Sequence, residues 1–92
     1  MLQANNDETV QRVVTLYGRP GCGLCEEAAL WLRRWAGELR FRLDEVDIDR
    51  DAALRLEYDW FVPVIKAGEL ELARVPLDRT ALYRRLRGLL AR

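Results

Sequence analysis

The two cysteines of this chain, Cys22 and Cys25, stand at a junction between a strand-like run and a helix-like run. Residues 10–17 are β-branched and apolar except for Gln11 and Arg12 and predict a strand from about residue 12 to residue 17, and residues 18–21 predict the turn that follows it. From residue 23 to about residue 39, apolar residues recur at helical spacing. A cysteine at a helix start has a stabilised thiolate, and a second cysteine one turn later can close a disulfide with it. The junction therefore suggests thiol–disulfide chemistry.

The rest of the chain continues to alternate between strand-like and helix-like runs. Asp49 or Asp51 can cap a short second helix, and Asp78 can cap the last one. The order β–α–β–α–β–β–α predicts an α/β fold, a mixed sheet with helices packed on it. The later predicted elements are a strand at 41–48, a helix at 52–58, strands at 62–67 and 69–73 that turn at Gly68, and a helix whose inward face runs from Leu82 to Leu90.

Length and composition fit one small domain. The chain has 92 residues, half of them hydrophobic, which is enough for a hydrophobic core that needs no disulfide or metal to stabilise it. Residues 1–9 are polar and predict a flexible leader, which leaves residues 10–92 as the single domain. No run approaches the ~20 apolar residues of a membrane span, and no secretory pattern is present. We therefore expect a cytosolic protein, in which a dithiol is kept reduced or cycles catalytically.

The charge pattern excludes one class of partner. Fifteen basic residues balance fifteen acidic ones, so there is no overall basic field for nucleic acid. The basic stretch at 79–92 fits the solvated face of a C-terminal helix. We expect a monomer that binds neither nucleic acid nor a membrane.

A disulfide that closes so short a loop adds little stability, which favours a chemical role for the cysteine pair over a structural one. Three other interpretations of the pair remain open. Zinc usually takes four ligands, and this chain has no histidine and no further cysteine, so only a dimer could complete such a site. An iron–sulfur cluster bridging two chains through Cys22 meets the same objection unless an outside thiol helps. The cysteines could also be inert and buried.

The two cysteines occupy different positions on the predicted helix, and these positions predict different roles for their thiols. Cys22 lies where the helix dipole and the unpaired N–H groups most favour a thiolate, so it is the predicted nucleophile. Cys25 lies one turn inside the helix and is the predicted resolving thiol. Arg19 would stabilise the Cys22 thiolate further if its side chain points back, whereas Glu26 and Glu27 oppose that effect.

Pro63 opens the apolar run at 62–67. On the residues alone, an ordinary trans proline at a strand start is expected. The functional alternative is a cis Val62–Pro63 bond that leaves the backbone of Val62 to pair with an extended partner chain.

With these motifs, the chain from about Val13 to Leu90 resembles the glutaredoxin-like proteins of the thioredoxin superfamily. The resemblance implies a thioredoxin-like fold, a four-stranded mixed sheet flanked by three helices. It implies that Pro63 is cis beside the dithiol and, with Val62, docks the substrate. It also implies that Cys22 attacks a target disulfide and Cys25 resolves the mixed disulfide. The motifs that carry it are Arg19–Cys25, Val46–Asp49 and Val62–Val64.

The chain also departs from the glutathione-using members of that family. Arg19 matches their basic residue three before the first cysteine, so the resemblance implies that it binds substrate. Ala73 and Arg74 stand where those proteins have Gly-Gly, which lets glutathione approach the backbone. The expected substrate is a disulfide-containing protein or glutathione, with glutathione also a candidate reductant and no cofactor beyond the redox-active disulfide. The alternative function is a non-catalytic binding module or a carrier of a metal or iron–sulfur cluster.

Overall fold

The computed structural model describes residues 12–91, and the leader predicted for residues 1–9 lies outside them. The observed element order is the predicted one, with a 3₁₀ turn at Ile48–Arg50 in addition. Along residues 12–91, no helix has both the length and the apolar character that crossing a membrane requires. The elements are β1 (Val13–Gly18), α1 (Gly23–Leu39), β2 (Arg42–Asp47), α2 (Ala52–Tyr58), β3 (Val64–Ala67), β4 (Leu70–Arg74) and α3 (Arg79–Leu90).

The four strands form one mixed sheet in the order β2-β1-β3-β4. Strand β1 pairs with β2 in parallel and with β3 antiparallel, and β4 pairs antiparallel with β3 at the edge. In this register Tyr17 lies opposite Val46 on one side and Val64 on the other. The carboxyl end of β1 therefore meets the start of β3, and the turn to α1 leaves the sheet at this end.

Alternation along the central strands divides the core between the two faces of the sheet. Val14 and Leu16 of β1 are buried in the main cluster, which α1 and α3 cover. Tyr17 points to the other face and packs against a smaller cluster that includes Tyr58 of α2. Two helices therefore lie on one face and one on the other, so the mixed sheet with helices packed on it, predicted from the element order, is observed as three layers.

Aspartate side chains set the starts of the later helices. Asp51 accepts hydrogen bonds from the N–H groups of Ala53 and Leu54 at the start of α2. Asp78 accepts a bond of 3.0 Å from the N–H of Ala81 in α3. Both aspartates satisfy N–H groups that the helix itself leaves unpaired, as their predicted capping roles require.

Arg12, next to the start of β1, joins the ends of the two long helices. Its Nε and Nη2 donate to the carbonyl oxygens of Arg40 and Leu39, at 2.8 and 2.7 Å, where α1 ends. Its Nη1 donates to the carbonyl oxygen of Leu90 at the end of α3, at 3.2 Å. A cation at a helix C-terminus is also favoured by the helix dipole. One guanidinium group therefore pairs carbonyl groups of both helices that lack partners within their own helix.

Candidate active site

The cysteine pair lies at the start of α1. Cys22 is the N-cap residue, and its Sγ accepts a hydrogen bond of 3.1 Å from the backbone N–H of Cys25. The two residues form a disulfide, with Cα atoms 5.2 Å apart. Cys22 is partly exposed, whereas Cys25 is buried, with 5% of its surface accessible. Cys22 is therefore the more accessible of the two cysteines.

The surroundings of the two sulfurs favour a negative charge on Cys22 and disfavour one on Cys25. After reduction, a Cys22 thiolate would sit at the positive end of the helix dipole with an N–H group aimed at it. A charge on Cys25 would have to form in the interior, where desolvation disfavours it. The geometry therefore favours Cys22 as the thiol that ionises first.

The Arg19 side chain forms hydrogen bonds with two aspartates that lie outside the cysteine motif. Its guanidinium donates to Asp49 at 2.7 Å, to the Asp59 carboxylate and, at 3.0 Å, to the Asp59 backbone carbonyl. These hydrogen bonds raise the pKa of Arg19 and lower the pKa of Asp49. The two carboxylates offset the positive charge of Arg19, which weakens the stabilisation that it could give to a Cys22 thiolate. Its predicted contact with substrate stays a prediction.

Gly18, the last residue of β1, lies directly against Cys25. A Cβ atom built on Gly18 would stand 3.0 Å from the Cβ and 3.1 Å from the Sγ of Cys25. Gly18 was not singled out as a site residue from the sequence. A glycine that ends a strand pattern is nevertheless a recognised sign of close backbone approach.

Pro63 stands at the same end of the sheet as the dithiol. The pairing of Tyr17 with Val64 sets Pro63 beside Gly18, which in turn contacts Cys25. The Val62–Pro63 peptide bond is cis, as the resemblance implied and the residues alone did not. Pro63 is buried, and the Val62 side chain packs against the cluster under α2. A second cis bond, Val75–Pro76, was not foreseen.

An aromatic pair comes directly before this proline. Trp60 is 85% exposed and Phe61 is 40% exposed. The guanidinium carbon of Arg74 lies 4.6 Å from the centroid of the Phe61 ring. Glu71 holds Arg74 through two hydrogen bonds of 2.6 Å, which lower the pKa of Glu71. Arg74, the second of the two residues that stand where the resemblance to glutathione-using glutaredoxins implies Gly-Gly, is thus a large cation paired with Glu71.

A cleft of about 450 Å³ opens between α1 and β2 and reaches Cys25. Arg33 of α1 and Glu45 of β2 line it and form an ion pair, with Arg33 donating to Glu45 at 2.7 and 2.8 Å. These bonds lower the pKa of Glu45. The buried cysteine therefore has open space on the β2 side of the helix.

A metal site within one chain is not seen among residues 12–91, where no group of three or more histidine, cysteine, aspartate or glutamate side chains is arranged to hold a metal ion. A cluster shared between two chains, the open alternative from the sequence, is not tested by this observation.

Comparison with protein families gives a match over most of the chain. Residues 13–87 match the model of the Glutaredoxin-like domain (DUF836). No match was found among curated proteins.

Solved structures with a similar fold cover most of the chain. Protein Ne2328 from Nitrosomonas europaea is 34% identical, with a TM-score of 0.67 over 82% of this chain and 91% of that one. Protein XcR50 from X. campestris is 32% identical, with a TM-score of 0.65 over 82% of this chain and 96% of that one. Oxidised thioredoxin from Plasmodium falciparum is 13% identical, with a TM-score of 0.66 over 99% of this chain and 93% of that one. The predicted thioredoxin-like fold is therefore confirmed.

Proposed function

The chain belongs to the family of glutaredoxin-like domains (DUF836), and from that premise we propose that it is a thiol–disulfide oxidoreductase. Its Cys22–Cys25 pair would reduce disulfides of proteins or of small molecules. The observation that carries the proposal is the Cys25 N–H donating to the Sγ of a partly exposed Cys22 at the helix start. That arrangement stabilises a nucleophilic thiolate and keeps a second thiol within bonding distance.

The reaction balances in two exchange steps. The Cys22 thiolate attacks one sulfur of the substrate disulfide, which forms a mixed disulfide and releases the other substrate sulfur as a thiolate. The Cys25 thiolate then attacks the Sγ of Cys22, which closes the internal disulfide and releases the second substrate thiolate. Two electrons pass from the dithiol to the substrate. An external thiol reductant returns the pair to the dithiol form by the reverse exchange.

The substrate is proposed to dock where β3 begins. Pro63 comes directly before Val64, which pairs with Tyr17, so it adjoins Gly18 and through it Cys25. Val62 precedes Pro63, and the exposed ring of Trp60 lies two residues before Val62. An extended substrate segment would lie across this end of the sheet, with its disulfide over Cys22. Arg19, although held by Asp49 and Asp59, lines the cleft beside Cys25 and keeps its proposed substrate-binding role here.

The reductant is proposed to be a thiol of the cytosol. A dithiol that cycles needs a compartment in which thiols are kept reduced. Glutathione is one candidate reductant, although Ala73 and Arg74 stand where the glutathione-using glutaredoxins have Gly-Gly, and Arg74 lies over the Phe61 ring. Glutathione and a protein dithiol can be compared directly by mixing each with the oxidised protein and following the loss of the Cys22–Cys25 disulfide.

The proposal is tested by a single-turnover reaction. The fully reduced protein, freed of reductant, is mixed with an excess of a disulfide-bonded protein such as insulin. We expect one Cys22–Cys25 disulfide to form for each substrate disulfide that is lost, with two substrate thiols released. Dithiol protein that leaves the substrate disulfide intact would overturn the proposal. The absorbance and metal content of the protein as purified would then test the cluster-carrier alternative.

A further inference from the structure

Gly18 meets Cys25 so closely that a side chain at this position would crowd the cysteine. An added Cβ would lie 3.0 Å from the Cβ and 3.1 Å from the Sγ of Cys25, and these are the contacts it would make within 4 Å. The backbone of Gly18 has no positive φ, unlike Gly21 and Gly68, so alanine suits its conformation. The glycine therefore relieves crowding against Cys25 and does not serve backbone freedom.

The space beside Gly18 matters differently in the two redox forms. In the disulfide, the Sγ of Cys25 is bonded to Cys22 and cannot turn away from a neighbour. In the dithiol, the same Sγ can move to another rotamer. The contact with the Cβ of Cys25 is common to both forms, but the contact with Sγ can be relieved only after reduction. A methyl group at position 18 would therefore penalise the disulfide more than the dithiol.

We propose that Gly18 is a positioning residue that stabilises the Cys22–Cys25 disulfide by leaving room for the fixed sulfur of Cys25. This inference rests on the proposed function and deepens it. A protein whose disulfide form is stabilised is a stronger reductant as a dithiol. Gly18 would thus keep the pair suited to giving electrons to a substrate, although it touches no substrate itself.

The test is the equilibrium of the pair with dithiothreitol in Gly18→Ala, read by mass after trapping free thiols. We expect the constant to shift about tenfold towards the dithiol, which is a reduction potential about 30 mV more positive. Gly37→Ala is the matched control, because Gly37 lies in the same helix as the dithiol and an added Cβ there meets nothing within 4 Å. We expect its equilibrium to stay within about twofold of wild type.

A shift of the equilibrium separates this role from a merely structural one. If Gly18→Ala lowers the stability of the oxidised and reduced forms equally and leaves the equilibrium unchanged, the inference is wrong. Should Gly18→Ala fail to fold in either form, Cys25→Gly is added, because it removes both atoms that the new methyl would meet. We expect the double variant to fold like Cys25→Gly alone, and failure to do so would also overturn the inference.

The equilibrium uses only the protein's own disulfide and needs no substrate. A wild-type protein that does not reduce substrate disulfides, while Gly18→Ala still shifts the equilibrium, would defeat the proposed function alone. Normal turnover by the wild type with an unshifted Gly18→Ala equilibrium would defeat this inference alone.

Discussion

Cys22→Ser should lower the rate of disulfide reduction by at least about a thousandfold, because a serine hydroxyl is not ionised at neutral pH and cannot replace the thiolate. The sulfur it removes is the one at the helix N-cap that accepts the Cys25 N–H. Serine can accept the same hydrogen bond, so we expect the fold to be retained. The rate is measured as thiols released from a disulfide substrate under a thiol reductant.

Cys25→Ser is the matched partner of that variant and should fail at a different step. Its Cys22 can still attack, but nothing resolves the mixed disulfide, so the protein should accumulate as an adduct with half of the substrate. Intact mass under non-reducing conditions detects the adduct, and added reductant should remove it. Full turnover by Cys22→Ser, or an adduct on Cys22→Ser with none on Cys25→Ser, would contradict the assigned roles.

Arg12→Ala should lower the free energy of unfolding by about 2–3 kcal/mol, an unusually large effect for a partly exposed residue. The side chain donates to carbonyl groups at the ends of α1 and α3, and all of these bonds involve a charged donor. Alanine leaves these carbonyls to water and takes the cation away from the negative ends of both helix dipoles. Denaturant unfolding, followed by circular dichroism, gives the difference.

Two control variants locate the cause of that loss. Arg12→Lys keeps the charge but loses the planar fork that reaches several carbonyls at once, so its stability should fall between wild type and Arg12→Ala. Arg84→Ala removes an exposed arginine of α3 and should change stability by less than about 0.5 kcal/mol. An Arg12→Ala effect no larger than that of Arg84→Ala would show that the helix ends do not depend on Arg12.

The fold was predictable because each element has a strong local pattern. The helical spacing from residue 23 to residue 39 predicts α1 with the bounds that the structure shows. The second strand was expected to reach Ile48 but ends at Asp47, whose carboxylate accepts the N–H of Asp49 and starts a 3₁₀ turn. Such a local bond between a side chain and the backbone competes with strand pairing and leaves little trace in hydrophobic spacing.

The site was predictable where its residues are close in sequence and less so where the fold assembles it. The position of Cys22 at the helix start follows from local pattern alone. The partners of Arg19 lie 30 and 40 residues away, at Asp49 and Asp59, so no spacing rule indicated that two carboxylates would compete for its charge. The contact between Gly18 and Cys25 depends on the angle at which α1 leaves the sheet. The helical pattern does not specify this angle.

The reduction potential of the Cys22–Cys25 pair in the wild-type protein tests redox cycling most directly. The protein is equilibrated in graded glutathione and dithiothreitol buffers, and the two forms are counted by mass after thiol trapping. We expect one two-electron transition between about −180 and −270 mV, the range of known dithiol carriers. A pair that never closes, or one that stays oxidised below about −300 mV as structural disulfides do, would contradict a cycling dithiol.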